Sequence, residues 1–315
     1  MRRRVSTAAA MALAVTTGTC VNPTDICTPQ EADLGFFSKG DCVMTRSSFF
    51  QGHEWLTSFA NDALPPDDRF TREEVHAIAE GNRRVDWPKE LLVHLNAGVY
   101  SYVRALTEYT DRNEVQRMHF LLTDTNQSAE AARDANETVR ALTRAAARDW
   151  IPARARALSE LGKASHVIQD SFSDAHTFRD RDHASRPWCI QRVKAFRPRK
   201  AGYERYTDGA EVLFHGGSTD AHGNSLSEDS IGHTTTKDSI YRPGRDCNDP
   251  TTPGAVEACL NDFAKRARDA TRDYLSLARR VVRTPASGAD LDAVVDQEID
   301  AFITEHLSLC PDAPQ

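Results

Sequence analysis

The feature that most constrains the fold of this chain is the helical spacing of its apolar residues. Apolar side chains recur at intervals of three and four residues, which places them on one face of a helix. No run of alternating β-branched residues indicates a strand, so no sheet is expected. The spacing predicts helices from residue 71 onward and over residues 87–106, 127–150, 152–170, 256–282 and 291–309. We therefore predict an all-α fold, built as a single multi-helix bundle.

Local signals place the ends of several predicted helices. The segment 71–74, Thr-Arg-Glu-Glu, is a capping box that opens a helix. The pair Gly81-Asn82 is typical of a turn and is expected to end that helix before Asp86. Residues 287–290 carry a Ser-x-x-Asp signal, which precedes the last helix.

Residues 177–253 interrupt the helical pattern. They are rich in Gly, Ser, Asp, His and Arg, and only one helix is predicted there, around residues 203–214. A long irregular stretch in a compact domain is usually functional or an excursion from the core. The sequence shows no internal repeat and no Gly/Ser linker. We therefore predict one domain over residues 49–310 that carries a loop-rich insertion at about 177–253.

The N-terminus has the layout of a secretory signal peptide. A basic Met-Arg-Arg-Arg start precedes a small apolar run over residues 5–15, which is too short to span a membrane. Cleavage near its end would make residues 1–19 the signal peptide and residues 20–48 an N-terminal extension. The alternative is a lipoprotein anchored through Cys20, although the residues before it form a poor lipoprotein box. A secreted or periplasmic protein without a transmembrane segment is expected.

The cysteines suggest disulfides. They occupy positions 20, 27, 42, 189, 247, 259 and 310. An exported chain meets oxidising conditions, so pairing is expected. Cys27 with Cys42 would close a short N-terminal loop, whereas the pairing among the four later cysteines stays open. None has the C-x2-C spacing of a structural zinc site, so zinc bound by thiolates is not expected.

Charge limits the range of partners. The 315 residues carry a formal net charge of −7. This charge argues against non-specific binding to nucleic acid or to an anionic membrane surface. It does not exclude a lipid substrate, because an enzyme can reach a zwitterionic head group without a basic patch.

The segment 161–176 contains the spacing His166-x3-Asp170-x5-His176. Positions four apart lie one above the other on a helix, so His166 and Asp170 can offer a nitrogen and a carboxylate oxygen to one ion. His176 follows where a helix end or a turn would bring it to a neighbouring ion. Nitrogen and carboxylate ligands suit zinc, and a carboxylate can bridge two ions through its two oxygens. The alternative is a helical His–Asp pair that makes one hydrogen bond.

Three further residues are candidate ligands, each with a plain structural alternative. His53 begins an amphipathic helix and is otherwise a helix cap. Asp86 follows the Gly81-Asn82 pair and is otherwise an N-cap of the next helix. His119 lies in an apolar context and is otherwise a core histidine bound to a backbone carbonyl. The other histidines on helical patterns are expected to be structural: His76, His94 and His306.

Taken together, these candidate ligands resemble, in order and spacing, those of the zinc-dependent phospholipase C family, within the wider phospholipase C/P1 nuclease superfamily. The resemblance runs from about residue 49 to residue 176. It implies an all-α bundle that holds three zinc ions in a cleft. One zinc would be held by Asp86, His119, His166 and Asp170. Asp170 would bridge to a second zinc bound by His53, and His176 would begin a third site.

The sequence departs from the family pattern in two places. No Trp stands where members of the family use a mature N-terminal Trp as a ligand beside His53. No His-x3-Glu pair follows His176 to complete the third site. The alternatives for that site are His215, His222 or His233 with Glu204, Asp229 or Asp238. Of these, His233 with Asp238 is the preferred pair.

The resemblance implies an exported phosphodiester hydrolase of the phospholipase C type. Its substrate would be a glycerophospholipid at a membrane or micelle surface, cleaved to diacylglycerol and a phosphorylated head group. Asp86 would orient or deprotonate the attacking water. The ring of Trp87 would pack against a choline ammonium, and the alternative for Trp87 is simple packing. A monomer without a nucleic-acid partner is expected.

Two other functions stay open at this point. A P1-like nuclease would use the same metals on single-stranded nucleic acid, but the His-x-x-Trp-Asp motif usual in that family is absent. A non-catalytic relative would keep the metals for stability, as an interaction or toxin-associated protein. The unusual third site and the extended N-terminus are what favour this last alternative.

Overall fold

The computed structural model describes six segments and four single positions of the chain. They are residues 52–86, 112–122, 127–173, 176–194, 262–284 and 288–313, with His94, Ala105, Tyr109 and Leu260. The predicted signal peptide, the N-terminal extension and most of the insertion lie outside the described residues. The same is true of Trp87 and of all the residues proposed to complete the third site, among them the preferred pair His233 and Asp238.

Most of the described residues are helical, so the predicted all-α character is confirmed in this coarse form. The described helices are α1 (Gly52–Asp62), α2 (Arg72–Asp86), α3 (Asn113–Met118), α4 (Ser128–Asp149), α5 (Arg154–Asp170), α6 (Asp262–Arg283) and α7 (Ala289–His306). A 3-10 turn at Pro66–Asp68 lies between α1 and α2. His94 and Ala105, which fall within the predicted helix 87–106, are both helical. No helix in the described segments is both long enough and apolar enough to cross a membrane.

Helix α5 lies at the centre of the core. Its apolar residues Leu161, Ala164, Val167 and Ile168 are fully buried, and it packs against α1, α2, α4 and α6. A helix that is apolar over so much of its surface is typical of one enclosed by others. The C-terminal part of α5, which carries the candidate ligands His166 and Asp170, therefore ends in the interior.

Two glycines allow α2 and α5 to cross at backbone contact distance. A Cβ built on Gly162 would lie 2.0 Å from the Ile78 carbonyl oxygen, and one built on Gly81 would lie 2.4 Å from the Ser159 carbonyl oxygen. The prediction that a turn ends the helix at Gly81 is wrong, since α2 continues to Asp86. Gly81 serves helix packing rather than a turn, and α2 thereby carries Asp86 along α5.

A helix begins near each of the two predicted starts, and the predicted capping bonds are found at the start of α2. The Glu74 N–H donates to Thr71 Oγ1 at 3.3 Å and the Thr71 N–H donates to Glu74 Oε2 at 3.0 Å, which is the predicted capping box. At the start of α7 the N-cap position is taken by Gly288, whose φ is 59°. A left-handed backbone of this kind is least strained in glycine.

A two-stranded antiparallel sheet follows α5, so the expectation of no sheet is wrong. Strand β1 (Thr177–Asp180) pairs with β2 (Cys189–Val193), and Thr177 lies opposite Val193. The strands have four and five residues, which is too short for an alternating pattern to stand out in a sequence. The predicted loop-rich insertion therefore begins with a hairpin.

The hairpin is fastened to the C-terminal segment. Cys189 forms a disulfide with Cys310, which settles one of the pairings that the sequence left open. The Ile190 N–H donates to the Ser308 carbonyl at 3.0 Å, and the Cys310 N–H donates to the Ile190 carbonyl at 2.9 Å. The chain beyond α7 thus adds a short parallel bridge to the edge of β2.

Arg179 joins the hairpin to two helix ends. Its buried guanidinium donates to the carbonyl oxygens of Ser171, Trp188 and His306 at 2.6 to 3.1 Å. Ser171 caps α5 and His306 is the last residue of α7, so the cation lies at two negative helix ends. Burial lowers the pKa of Arg179 to about 9, which leaves it charged at neutral pH. The contact fixes the end of α5 that carries Asp170.

Candidate metal centre

Five of the candidate ligands meet at one buried point beside the end of α5. They come from four parts of the chain: His53 on α1, Asp86 at the end of α2, His119 after α3, and His166 and Asp170 on α5. The side chains of His53, His166 and Asp170 are fully buried, that of Asp86 is 2% exposed and that of His119 is 14% exposed. Helix packing thus brings together residues that are far apart in sequence.

Four of these residues present donor atoms at the spacing of a tetrahedron. Asp170 Oδ2 lies 3.0 Å from His119 Nδ1 and 3.1 Å from His166 Nε2, and the two nitrogens are 3.1 Å apart. Asp86 Oδ1 lies 3.5 Å from His166 Nε2 and 3.8 Å from His119 Nδ1. Tetrahedral bonds of about 2.0–2.1 Å place ligand atoms roughly 3.3 Å apart. These four atoms, the first donor set, therefore surround a space of the right size for one small ion.

The other oxygens of both carboxylates face His53. His53 Nε2 lies 3.2 Å from Asp170 Oδ1 and 3.9 Å from Asp86 Oδ2. These three atoms form the second donor set. Each carboxylate thus directs one oxygen to each set, which is how a carboxylate bridges two ions. The sequence predicted that Asp170 would contribute to both sets, but that Asp86 would contribute only to the first.

The described residues can therefore hold a metal ion. His53, His166 and Asp170 have donor atoms within 4.8 Å of one another, and so do Asp86, His119 and His166. His166 belongs to both groups, so the two groups are parts of one centre rather than independent sites.

The protonation states suit a cation. Burial, together with the charge of His166, lowers the pKa of His53 to about 4, so this ring is neutral at pH 7. Burial alone would raise the pKa of Asp170, but His176, His166 and His53 hold it well below its usual range. The same balance lowers the pKa of Asp86. Both carboxylates are ionised at neutral pH, and a cation would neutralise them.

Hydrogen bonding within the centre supports the same conclusion. Asp170 Oδ1 is buried and accepts no hydrogen bond from the described residues, although buried carboxylate oxygens normally have a donor. It faces His53 Nε2, which carries a lone pair when the ring proton is on Nδ1. Two acceptors 3.2 Å apart repel each other unless a cation lies between them. A metal ion fits this combination of donors.

Two amide side chains hold the histidine rings, and the sequence analysis did not identify either as a site residue. Gln169 Oε1 lies 2.8 Å from His53 Nδ1, and Asn82 Oδ1 lies 2.9 Å from His166 Nδ1. Both amides are fully buried. Their spacing could have indicated them, since Asn82 lies one helical turn before Asp86 and Gln169 lies in the same turn as His166.

A strained turn at the end of α3 presents His119. This residue is the C-cap of α3, and the following Phe120 is fully buried with a φ of 50°. Holding a bulky residue in this left-handed region costs roughly 1–3 kcal/mol, which the surrounding packing must offset. Beyond it, the Leu122 N–H donates to the Lys194 carbonyl at 2.9 Å. The turn is thereby held against the end of the hairpin, with His119 Nδ1 directed at Asp170.

His176 lies beside the two donor sets and belongs to neither. Its Nδ1 donates to the His119 carbonyl oxygen at 2.6 Å and lies 3.6 Å from Asp170 Oδ2. A proton on Nδ1 makes Nε2 the basic nitrogen of the ring. The predicted third site would begin at that nitrogen, and its other predicted ligands, His233 and Asp238, lie outside the described residues.

A separate group of donors on α6 and α7 consists of Asp273, Glu305 and His306. Asp273 Oδ2 lies 3.3 Å from His306 Nε2, while Asp273 Oδ1 pairs with Arg272 at 2.8 Å. Contacts with His306 and Arg272 on its two oxygens account for Asp273 without a metal. The structural role expected for His306 stays a prediction.

Comparisons with models of known protein families, with curated proteins and with solved structures found no match to this chain. The geometry of the described residues is therefore what bears on the function.

Proposed function

We propose that this chain is an exported, zinc-dependent phosphodiester hydrolase of the phospholipase C type. The observation that supports this most is the division of both carboxylates between the two donor sets. Asp86 and Asp170 each turn one oxygen toward His53 and the other toward the opposite histidines. Two ions held side by side in this way are the arrangement that many phosphoester hydrolases use.

Zinc is the metal that suits these donors best. Imidazole nitrogens and carboxylate oxygens at tetrahedral spacing are typical zinc ligands. Magnesium and calcium instead take six or more oxygen ligands. Three histidines among five donor residues favour a borderline metal over those harder ions.

The chemistry divides between the ions and the chain. Bound zinc would lower the pKa of a water molecule and neutralise charge on the phosphoryl oxygens. The chain holds the donors in place and keeps their carboxylates ionised. His119 is the most exposed of the five donor residues, at 14%, so substrate would approach on its side. Asp86, an ionised acceptor in the same set, would orient or deprotonate the attacking water.

A lipid substrate is favoured by the resemblance and by charge. A net charge of −7 provides little attraction for a polyanion such as single-stranded DNA. The proposed reaction cleaves a glycerophospholipid to diacylglycerol and a phosphorylated head group. Trp87, the residue after Asp86 in the sequence, would contact a choline head group.

The test is release of phosphorylated head group from phosphatidylcholine micelles by the full chain, run in parallel with cleavage of single-stranded DNA. We expect head-group release that stops on chelation and returns with added zinc. His119→Ala should abolish this activity, and His94→Ala should not. DNA cleavage without lipid hydrolysis would replace the lipase with the P1-like nuclease. Zinc binding with neither activity would favour the non-catalytic relative.

A further inference from the structure

We propose that four buried side chains, Thr57, Asn82, Gln169 and Thr271, form an amide relay that sets the proton positions of two metal-binding histidines together. This inference rests on the proposed metal centre. All four side chains are fully buried. They are positioning residues, since none of their atoms belongs to either donor set.

The hydroxyl groups of Thr57 and Thr271 form the outer end of the relay, farthest along its hydrogen bonds from the histidine rings. They fix the direction in which its hydrogen bonds run. Thr57 Oγ1 donates to the His53 carbonyl at 2.9 Å, and Thr271 Oγ1 donates to the Ala267 carbonyl at 2.7 Å. Each hydroxyl has a single proton, so toward other side chains both oxygens can only accept. The Gln169 amide nitrogen lies 3.1 Å from Thr57 Oγ1 and 3.3 Å from Thr271 Oγ1. It therefore donates to both, and the Gln169 oxygen points the other way.

The inner end of the relay then determines the tautomer of each ring. Asn82 Nδ2 donates to Thr57 Oγ1 and to Gln169 Oε1, both at 3.1 Å, so Asn82 Oδ1 must face His166. Because this oxygen and Gln169 Oε1 can only accept, Nδ1 of His166 and Nδ1 of His53 must carry the ring protons. The bonds are 2.9 Å and 2.8 Å long. Each ring is left with Nε2 as its lone-pair nitrogen.

The relay connects the two donor sets. Gln169 Oε1 accepts from both His53 and Asn82, and Asn82 in turn accepts from His166. Rotating either amide by half a turn would place an NH2 group against a ring N–H and break several bonds at once. The two rings are therefore locked as a pair, with both Nε2 atoms directed at Asp170.

The first experiment reads the tautomers directly, using nitrogen-15 NMR of histidine-labelled full chain after zinc has been removed. We expect Nδ1 of both His53 and His166 to carry a proton and to exchange slowly with solvent. A bare Nδ1 on either ring would overturn the proposal. This measurement depends neither on hydrolysis nor on bound zinc. A chain that binds no zinc yet shows both tautomers would refute the proposed function and leave the relay intact.

The second experiment measures zinc affinity by chelator competition. Loss of a group that orients a metal-bound histidine typically lowers metal affinity about 10–100-fold, so we expect a fall of that size for Asn82→Leu. Asn61→Leu is the matched control, because Asn61 is a buried amide on α1 that bonds only to the Phe70 backbone among the contacts described. It should lower the free energy of unfolding and leave zinc affinity unchanged. Unchanged affinity in Asn82→Leu would contradict the relay.

A milder pair of variants covers the case in which Asn82→Leu does not fold. Thr271→Val keeps the shape of the side chain and removes only the hydroxyl that accepts from Gln169, so zinc affinity should fall to a smaller degree. Thr271→Ser keeps that hydroxyl and should restore the affinity. If Thr271→Ser binds zinc as weakly as Thr271→Val, then Thr271 acts through packing. The hydrogen bond from Gln169 to Thr271 would then not be part of the relay.

Discussion

The carboxylate of Asp170 lies among three histidines in the interior. This carboxylate is fully buried, and nitrogens of His53, His119 and His166 lie within 3.0–3.2 Å of its oxygens. Burying a charge costs several kcal/mol unless opposite charge compensates it. The His53 ring is neutral at pH 7 and does not supply that charge, whereas a metal ion would. The position of Asp170 in the interior is therefore best explained by a bound cation.

Replacing this charge tests its role. Asp170→Asn keeps the shape of the side chain but removes the negative charge and weakens a ligand shared by both donor sets. Zinc content should drop, and any hydrolysis should fall by orders of magnitude, because both ions lose a ligand. His94→Ala is the control and should retain its zinc. Normal zinc content and activity in Asp170→Asn would make Asp170 a structural residue.

The pKa of His53 predicts how the zinc-free protein responds to acid. Because its pKa is about 4 when folded and 6.5 when unfolded, only the unfolded chain binds a proton between these values. The contribution of His53 to stability should be constant above pH 6.5, fall as the pH drops toward 4 and change no further below that. The full loss through this group is about 3–4 kcal/mol.

Denaturant unfolding of the chelator-treated chain at pH 7, 5.5 and 4 measures this loss. His53→Asn cannot titrate, so its stability should vary less over the same interval. The depressed pKa values of Asp86 and Asp170 act in the same direction but at lower pH. Equal pH dependence in the wild type and in His53→Asn would rule out a buried neutral His53.

The donor residues could be predicted from the sequence, whereas the amides that support them were missed. His166 and Asp170 stand one helical turn apart, and that spacing is a local property of the chain. Asn82 and Gln169 contact each other across 87 positions of sequence, and only tertiary packing shows that contact. A buried amide also carries no charge that would mark it as functional.

Local sequence patterns predicted the helices reliably, but the sequence did not show which helices pack closely against each other. The apolar spacing that predicted α4 and α5 is set within each segment, so these helices occur where it indicated. Gly81 looked like a helix end because glycine has a low helix propensity. Contact between α2 and α5 overrides that propensity, since any side chain at Gly81 would strike Ser159. The hairpin was missed because its strands are short and depend on distant partners.

This helix crossing predicts a specific sensitivity. In Gly162→Ala the new methyl group would meet the backbone of α2, 2.0 Å from the Ile78 oxygen. Overpacking of this kind typically costs about 1–3 kcal/mol or more. Zinc affinity should also fall, because α2 carries Asp86 and would be pushed away from α5. Unfolding and zinc titration of the same sample measure both effects.

Gly288→Ala provides the control for this variant. Gly288 has nothing within 4 Å of a built Cβ, although its positive φ adds some strain. Gly288→Ala should lower the free energy of unfolding and leave the zinc affinity unchanged. If Gly162→Ala behaved in the same way, the crossing would not position the metal centre.

At the scale of the whole molecule, the C-terminal segment, the hairpin and the end of α5 form one connected unit. The Cys189–Cys310 disulfide spans 121 residues, and Arg179 bonds to the ends of α5 and α7. A disulfide is also the bond expected of a chain exposed to oxidising conditions. The unit holds the final turn of α5 from outside the helix core.

Removing the disulfide should therefore weaken the fold as a whole. Cys310→Ser should lower the free energy of unfolding by about 2–5 kcal/mol, the usual effect of losing a native disulfide that closes a long loop. Reduced wild-type protein should lose at least as much. Identical unfolding curves for Cys310→Ser and the oxidised wild type would show that the cross-link does not stabilise the native state.

Two donor sets share Asp86 and Asp170, and the zinc content of purified full chain tests this arrangement most directly. Elemental analysis of the wild type should find about two or three zinc ions per chain. His53→Ala should contain one fewer, because His53 belongs only to the second donor set and the first keeps all four of its ligands. Fewer than one zinc per chain in the wild type, or the same content in His53→Ala, would contradict this arrangement.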